Sequence, residues 1–246
     1  MEPRAKRALW VQYTAGRLAI FIAAPLILAA IRIAGYRVRD IDKIRKKVAR
    51  LLDAHSGPWL ICANHLTLID SVILLYAMLP VSRHLARFDQ MPWNVPETMN
   101  FSRNKLLRVM CYITKCIPVT RGGERDGVKT LLEKCAWLLS AGGNLMIFPE
   151  GTRSRTGRVN TVDFPYGTGR LFLKTPGCRV MCIYLRGDGQ HTYSNFPRCR
   201  ETFSMFVEEC FPKTRLKGLR AQRDCAGQIV RHLAGMEKQY FASRGK

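Results

Sequence analysis

Apolar and polar positions fall into blocks along the chain, and the spacing within each block predicts an element. In the stretch 38–54 (VRDIDKIRKKVARLLDA), Val38, Ile41, Ile44, Val48, Leu51 and Leu52 recur at helical spacing opposite a basic face. Ser56-Gly57-Pro58 breaks that helix. Trp59 to Ala63 (WLICA) is a short unbroken apolar run, the pattern of a buried strand. A helix from Thr67 to Met78, ended by Pro80, comes next. Arg87 to Asn104, rich in Pro, Asn and Met, reads as a long loop, and long loops are often lids. Residues 105 to 116 have a helical pattern, Cys116 to Thr120 that of a second strand, and Gly122-Gly123 that of a turn. Asp126 to Ser140 is an amphipathic helix closed by Ala141-Gly142-Gly143. Leu145 to Phe148 and Val180 to Leu185 supply two more strands, and the basic tail after Phe211 is partly helical. Strands alternating with helices predict an α/β fold, a central mixed sheet flanked by helices.

The N-terminus has a different pattern. Leu18 to Ile31 is fourteen residues without a charge, bounded by Arg17 and Arg32. At about 1.5 Å per residue the run falls short of a hydrocarbon core of roughly 30 Å. Pro25 inside it should kink or break a helix, which favours an element that dips into the membrane over a straight span. Arg37, Arg39, Lys43, Arg45, Lys46, Lys47 and Arg50 follow closely and suit an anionic cytoplasmic leaflet. Residues 1–54 therefore read as an uncleaved, membrane-anchoring and basic helical segment, and 55–246 as a catalytic domain with a basic tail. The expected place is the cytoplasmic face of the inner or plasma membrane.

Charge narrows the partners. Forty basic residues against eighteen acidic ones give a formal net charge of +22 in 246 residues. That balance predicts a polyanionic partner: nucleic acid, an anionic membrane, or phosphorylated and CoA-type substrates. No helix-turn-helix, zinc-finger or aromatic RNA-binding signature accompanies it, and the basic groupings lie beside the apolar segment and in the tail. A membrane surface accounts for that layout better than nucleic acid does. Nine cysteines, with no C-x-x-C pair, read as reduced thiols rather than a disulfide framework or metal site.

Two short motifs carry the chemistry. In Asn64-His65-Leu66-Thr67-Leu68-Ile69-Asp70 a histidine precedes an aspartate by five positions. Residues five apart on an ideal helix are separated by about 140°, so the two side chains meet only if His65 lies on the turn leaving the strand and Asp70 in the first turns of the helix. Asn64 or Thr67 is then placed to satisfy backbone donors at the helix start. Asp70 would fix the imidazole tautomer, leaving the other nitrogen to take a proton from a hydroxyl. In Phe148-Pro149-Glu150-Gly151-Thr152-Arg153-Ser154 the glycine permits close backbone approach. Thr152 and backbone amides offer donors to phosphate, and Arg153 a planar fork.

Together these motifs resemble the lysophospholipid acyltransferase superfamily, in particular the bacterial-type 1-acylglycerol-3-phosphate acyltransferases, over roughly residues 55 to 210. The family's N-H-x-S-x-x-D block is matched with Thr67 in place of Ser, and F-P-E-G-T-R-S is matched throughout at 148–154. Ile117-Pro118-Val119-Thr120-Arg121 matches the apolar strand and arginine that end its second block. The resemblance implies that His65, held by Asp70, deprotonates a lysophospholipid hydroxyl. That hydroxyl attacks an acyl-CoA or acyl-carrier-protein thioester, and Arg121, Arg153 and the Glu150-Gly151-Thr152 turn bind the acceptor's phosphate. No metal or bound cofactor is implied, and acceptor and acyl chain would enter from the membrane.

Three departures from the family pattern matter, and the first two bear on the acceptor. Thr120 stands where the family often has an acidic residue, Phe164-Pro165-Tyr166-Gly167 lacks the usual lysines, and Val180-Met181-Cys182-Ile183 lacks a proline. The loop Met91–Pro96 also differs from an ordinary family member. Phosphatidate synthesis is the leading expectation; another lysolipid, a lyso-amino-acid lipid or a specialised lipid is the alternative acceptor. A nucleic-acid-binding module and a non-catalytic membrane adaptor are the rival classes.

Overall fold

The computed structural model describes residues 1–120 and 125–244. In chain order the elements are α1 (Pro3–Ile33), β1 (Arg37–Val38), α2 (Ile41–Ala54), β2 (Trp59–Ala63), α3 (Asp70–Met78), α4 (Val81–Ala86), β3 (Trp93–Asn94), α5 (Lys105–Ile113), α6 (Arg125–Ser140), β4 (Leu145–Ile147), α7 (Gly167–Lys174), β5 (Arg179–Gly187), β6 (Thr202–Cys210) and α8 (Gly218–Arg244). Six strands form one sheet in the order β1-β6-β5-β2-β4-β3. All neighbours pair in parallel except β5 and β6, so the sheet is mixed.

Strand alternation divides the core into two layers. Leu60 and Cys62 of β2 with Val180, Cys182 and Tyr184 of β5 face α6, α7 and α8. The intervening Trp59, Ile61 and Ala63 with Met181, Ile183 and Leu185 face α2 and α3. Both faces are covered, which is why β2 and β5 are apolar at almost every position. Strand β6 instead alternates buried and half-buried residues, so its sequence lacks a continuous apolar run.

The N-terminal helix exceeds the sequence expectation. It runs unbroken through Pro25 for 31 residues, a length of about 46 Å. Pro25 forfeits one backbone hydrogen bond, but its neighbours Ile20 and Ala24 pack on Phe88 and Met91, which holds the helix line. By length and composition this helix is capable of crossing a membrane, although the core helix of a soluble protein also meets that test. Part of the helix is packed on the protein: Gln12 Nε2 donates to the Tyr112 and Cys116 carbonyls, both at 2.9 Å.

One expected strand is absent. Cys116–Thr120 makes only isolated bridges, from Cys116 to Asn94 and from Val119 to Glu97. Lys115 begins this segment with φ +58°, and that left-handed residue bends the chain out of strand geometry. Its buried ammonium donates to the Phe88 and Met91 carbonyls at 2.7 and 2.6 Å and tethers the long loop beneath it. Burial pushes this lysine down to about 7.

Candidate active site

The first motif occupies the carboxyl end of β2, where ligands of open parallel sheets gather. His65 lies two residues past the strand and Asp70 is the first residue of α3, so the pair meets across a turn. The helix begins at Asp70 rather than Thr67, because 66–69 wrap around the carboxylate. Asp70 Oδ2 accepts from His65 Nδ1 at 3.0 Å, from Leu66 N at 2.6 Å and from Thr67 N at 2.8 Å. Its Oδ1 accepts the Thr67 hydroxyl. With three donors on one oxygen and a helix N-terminus behind it, the carboxylate is held in place and its charge satisfied.

A carboxylate only accepts, so His65 Nδ1 carries a hydrogen, and in the neutral imidazole Nε2 then presents a lone pair. Among the described residues Nε2 has no hydrogen-bond partner, and the imidazole keeps a small exposure, 11% of its side-chain surface. Phe148 from the second motif stacks on the ring at 4.0 Å and 14°, fixing its plane.

Asn64 and Thr67 do not cap α3 with their side chains. The Asn64 amide pairs with the Leu185 backbone, accepting at 2.7 Å and donating at 2.9 Å, and so locks the motif to β5. Thr67 braces Asp70 instead.

The second motif wraps beneath the first. Glu150 is buried, and its two oxygens accept from His65 N at 3.2 Å and Asn160 N at 3.0 Å. Ser154 N donates to the His65 carbonyl at 2.9 Å, so both peptide groups of His65 are tied to residues 150–154. Burial pushes the Glu150 carboxyl up to about 7, against the opposing effect of those two backbone donors. Its oxygens are thus committed to backbone, whereas Thr152 is exposed. Gly151 sits at φ +71°, and a Cβ there would lie 2.5 Å from Pro165 Cγ.

Arg153 Nη1 donates to the Ser194 carbonyl and Asn195 Oδ1, both at 2.9 Å, and its guanidinium lies 5.4 Å from the Tyr193 ring centroid. Among the described residues its other N–H groups have no hydrogen-bond partner. Arg121 lies outside the described residues.

Two features of the site escaped the sequence pattern. The loop between β5 and β6 clasps the histidine turn: Leu68 N donates to Asn195 O at 3.1 Å and Ser194 N to Leu66 O at 3.0 Å. Only proximity in the fold reveals this, since residues 188–201 carry no periodicity. The second is an apolar cavity of about 370 Å³ between α1, α3 and α5. Ile20, Leu28, Leu68, Ile69, Leu75 and Met110 are among its lining residues. Leu68 and Ile69, the two residues before Asp70, line the cavity, whereas the His65 and Asp70 side chains do not. Among the described residues no group of three or more His, Cys, Asp or Glu side chains is placed to hold a metal ion.

A histidine polarised by a buried aspartate, at the end of a parallel strand and on a turn whose Leu68 and Ile69 line an apolar cavity, can take a proton from an alcohol while that cavity holds an alkyl chain. No curated protein matches the chain. The family model described as acyltransferase matches residues 35–186, more than half of the chain, and that span contains the His–Asp pair, Glu150 and Arg153. The chain belongs to the acyltransferase family.

Proposed function

We propose that the protein moves a fatty acyl group from a thioester, acyl-CoA or acyl-carrier protein, to the free hydroxyl of a lysophospholipid at a membrane surface. The leading acceptor is 1-acylglycerol-3-phosphate, giving phosphatidate. The observation that carries this reading is the 3.0 Å contact of His65 Nδ1 with Asp70, which leaves Nε2 to act as base. In the proposed step Nε2 removes the acceptor's hydroxyl proton as the oxygen attacks the thioester carbonyl. The tetrahedral intermediate collapses by breaking the carbon–sulfur bond. The imidazolium returns its proton to the departing thiolate, and no covalent acyl-enzyme is required. Asp70 stabilises the imidazolium and holds the tautomer; a positioned base of this kind supplies about 10²–10⁴ in rate. The apolar cavity beside the turn suits the acyl chain. The unpaired edge of the Arg153 guanidinium suits a phosphate monoester.

The apolar outer face of α1, with Leu18, Phe21, Ile22 and Leu26 exposed, supports attachment to a membrane, and the basic residues from Arg37 to Arg50 suit its cytoplasmic face. A different lysolipid acceptor is the second reading. It is favoured by the stretch Phe164-Pro165-Tyr166-Gly167, where the family often carries lysines and where Pro165 packs against Gly151. The test is thioester release in detergent with lysophosphatidate, other lysolipids, or no acceptor, with His65→Ala as control. Turnover with lysophosphatidate that disappears in His65→Ala supports the leading reading. Turnover confined to another lysolipid selects the second, and silence with every acceptor refutes both.

A further inference from the structure

Helix α5 is unusual: none of its residues is buried, yet seven of its nine positions are apolar. At 100° per residue these positions divide into distinct faces. Leu107, Met110 and Cys111 point toward the apolar cavity, whose lining they share with α1. Leu106 and Val109 lie on the adjoining outer flank and remain 69% and 56% exposed. Lys105 and Arg108 occupy the opposite arc, and Arg103 precedes the helix; all three are exposed. Met99, in the turn before the helix, is 63% exposed. From residue 98 to 120 the chain contains no Asp or Glu.

This helix is locked against α1. Gly16 of α1 approaches so closely that a Cβ there would lie 2.5 Å from the Ile113 carbonyl oxygen. Gln12 holds the carbonyls of Tyr112 and Cys116. The outer face of α1 is itself apolar, with Phe21 56%, Ile22 71% and Leu26 60% exposed. Apolar surface rimmed by cations and free of carboxylates is the pattern of a helix lying at the boundary between headgroups and acyl chains. A protein partner would not require the complete absence of negative charge over this stretch, whereas an anionic leaflet favours it.

We propose that α5 and the turn before it form a second bilayer-contacting element, seated beside α1 at the mouth of the apolar cavity. Leu106, Val109 and Met99 enter the acyl-chain boundary, and Arg103, Lys105 and Arg108 engage anionic headgroups. The cavity then opens into lipid between two helices, so a membrane-borne acyl chain reaches the His65 turn without crossing water. That last consequence rests on the function proposed above; the docking surface does not.

The test is photocrosslinking of the full chain on phosphatidylcholine/phosphatidylglycerol vesicles. Benzoylphenylalanine is placed at position 106 or, as control, at the exposed Lys238 of α8. Lipid adducts at 106 and none at 238 are expected. A vesicle-bound protein without adducts at 106, or with equal adducts at both sites, overturns the proposal, as does failure to bind these vesicles. A second variant, Leu106→Glu with Val109→Glu, removes two exposed side chains and should lower vesicle partitioning by about tenfold while thioester turnover in detergent persists. Unchanged partitioning in that variant contradicts the docking surface. Loss of detergent turnover in the unsubstituted chain would instead count against the acyl-transfer reading and leave the crosslinking result standing.

Discussion

Glutamine at position 150 separates the scaffolding role of this carboxyl from its charge. Glu150 accepts from His65 N and Asn160 N while only 4% exposed. Burial raises it from the ordinary 4.5 to about 7. Between those values the folded protein binds more protons than the unfolded chain, so this group makes stability fall as pH rises. Its contribution is complete below pH 4.5 and lost as pH passes 7. A shift of this size corresponds to roughly 3 kcal/mol. Glutamine does not titrate, so in Glu150→Gln that slope disappears. Unfolding by urea in detergent at several pH values should show the difference between wild type and variant moving by roughly 3 kcal/mol in favour of glutamine between pH 4.5 and 8. Any fixed cost of placing an amide NH2 against a backbone N–H cancels from that comparison. Turnover should move the opposite way at pH 8. One tether on the His65 peptide is lost, and kcat should fall about tenfold, equivalent to about 1.4 kcal/mol. A wild type and variant whose stability difference is the same at every pH would refute the reasoning.

Other substitutions probe other parts of the site. Asp70→Asn replaces an acceptor of three N–H groups with an amide that no longer imposes the tautomer; kcat should fall about 10²–10⁴-fold with KM little changed. A variant within threefold of wild type would count against Asp70. Gly151→Ala adds a Cβ 2.5 Å from Pro165 Cγ at φ +71°, and should lower Tm by roughly 5 °C or more; an unaltered Tm would show that the turn relaxes freely. Arg153→Ala should raise the acceptor's KM at least tenfold while leaving the thioester's KM alone, and an effect confined to the thioester would reassign the residue.

The sequence was most legible where one residue pattern admits one geometry. WLICA is long enough for a strand and too short for a helix between its breakers, and it forms β2 over the predicted residues. The requirement that His65 and Asp70 meet only across a strand-to-helix turn follows from helix geometry alone, and the fold places them there. Strand β6 was hidden because its half-exposed positions, Phe206 apart, are polar, and β1 because a two-residue strand has no periodicity. Cys116–Thr120 has a strand's composition, but the left-handed Lys115 and the absence of a full-length partner deny it a ladder. The role of Glu150 was hidden for a different reason. A carboxylate in a charged turn looks ready for a ligand, and only the three-dimensional approach of the His65 and Asn160 amides shows where its oxygens go. The apolar cavity is likewise built from α1, α3 and α5, which are distant in sequence and read singly as ordinary amphipathic or apolar segments.

The central claim is base catalysis of acyl transfer by His65, and product analysis tests it most directly. Folded wild type and His65→Ala, matched by circular dichroism, would be incubated in detergent with acyl-CoA or acyl-carrier protein and lysophosphatidate, and the lipid product weighed by mass spectrometry. The account predicts a diacylated product from wild type and a loss of at least about a hundredfold in its rate of formation in the variant. Equal product from both proteins would contradict it.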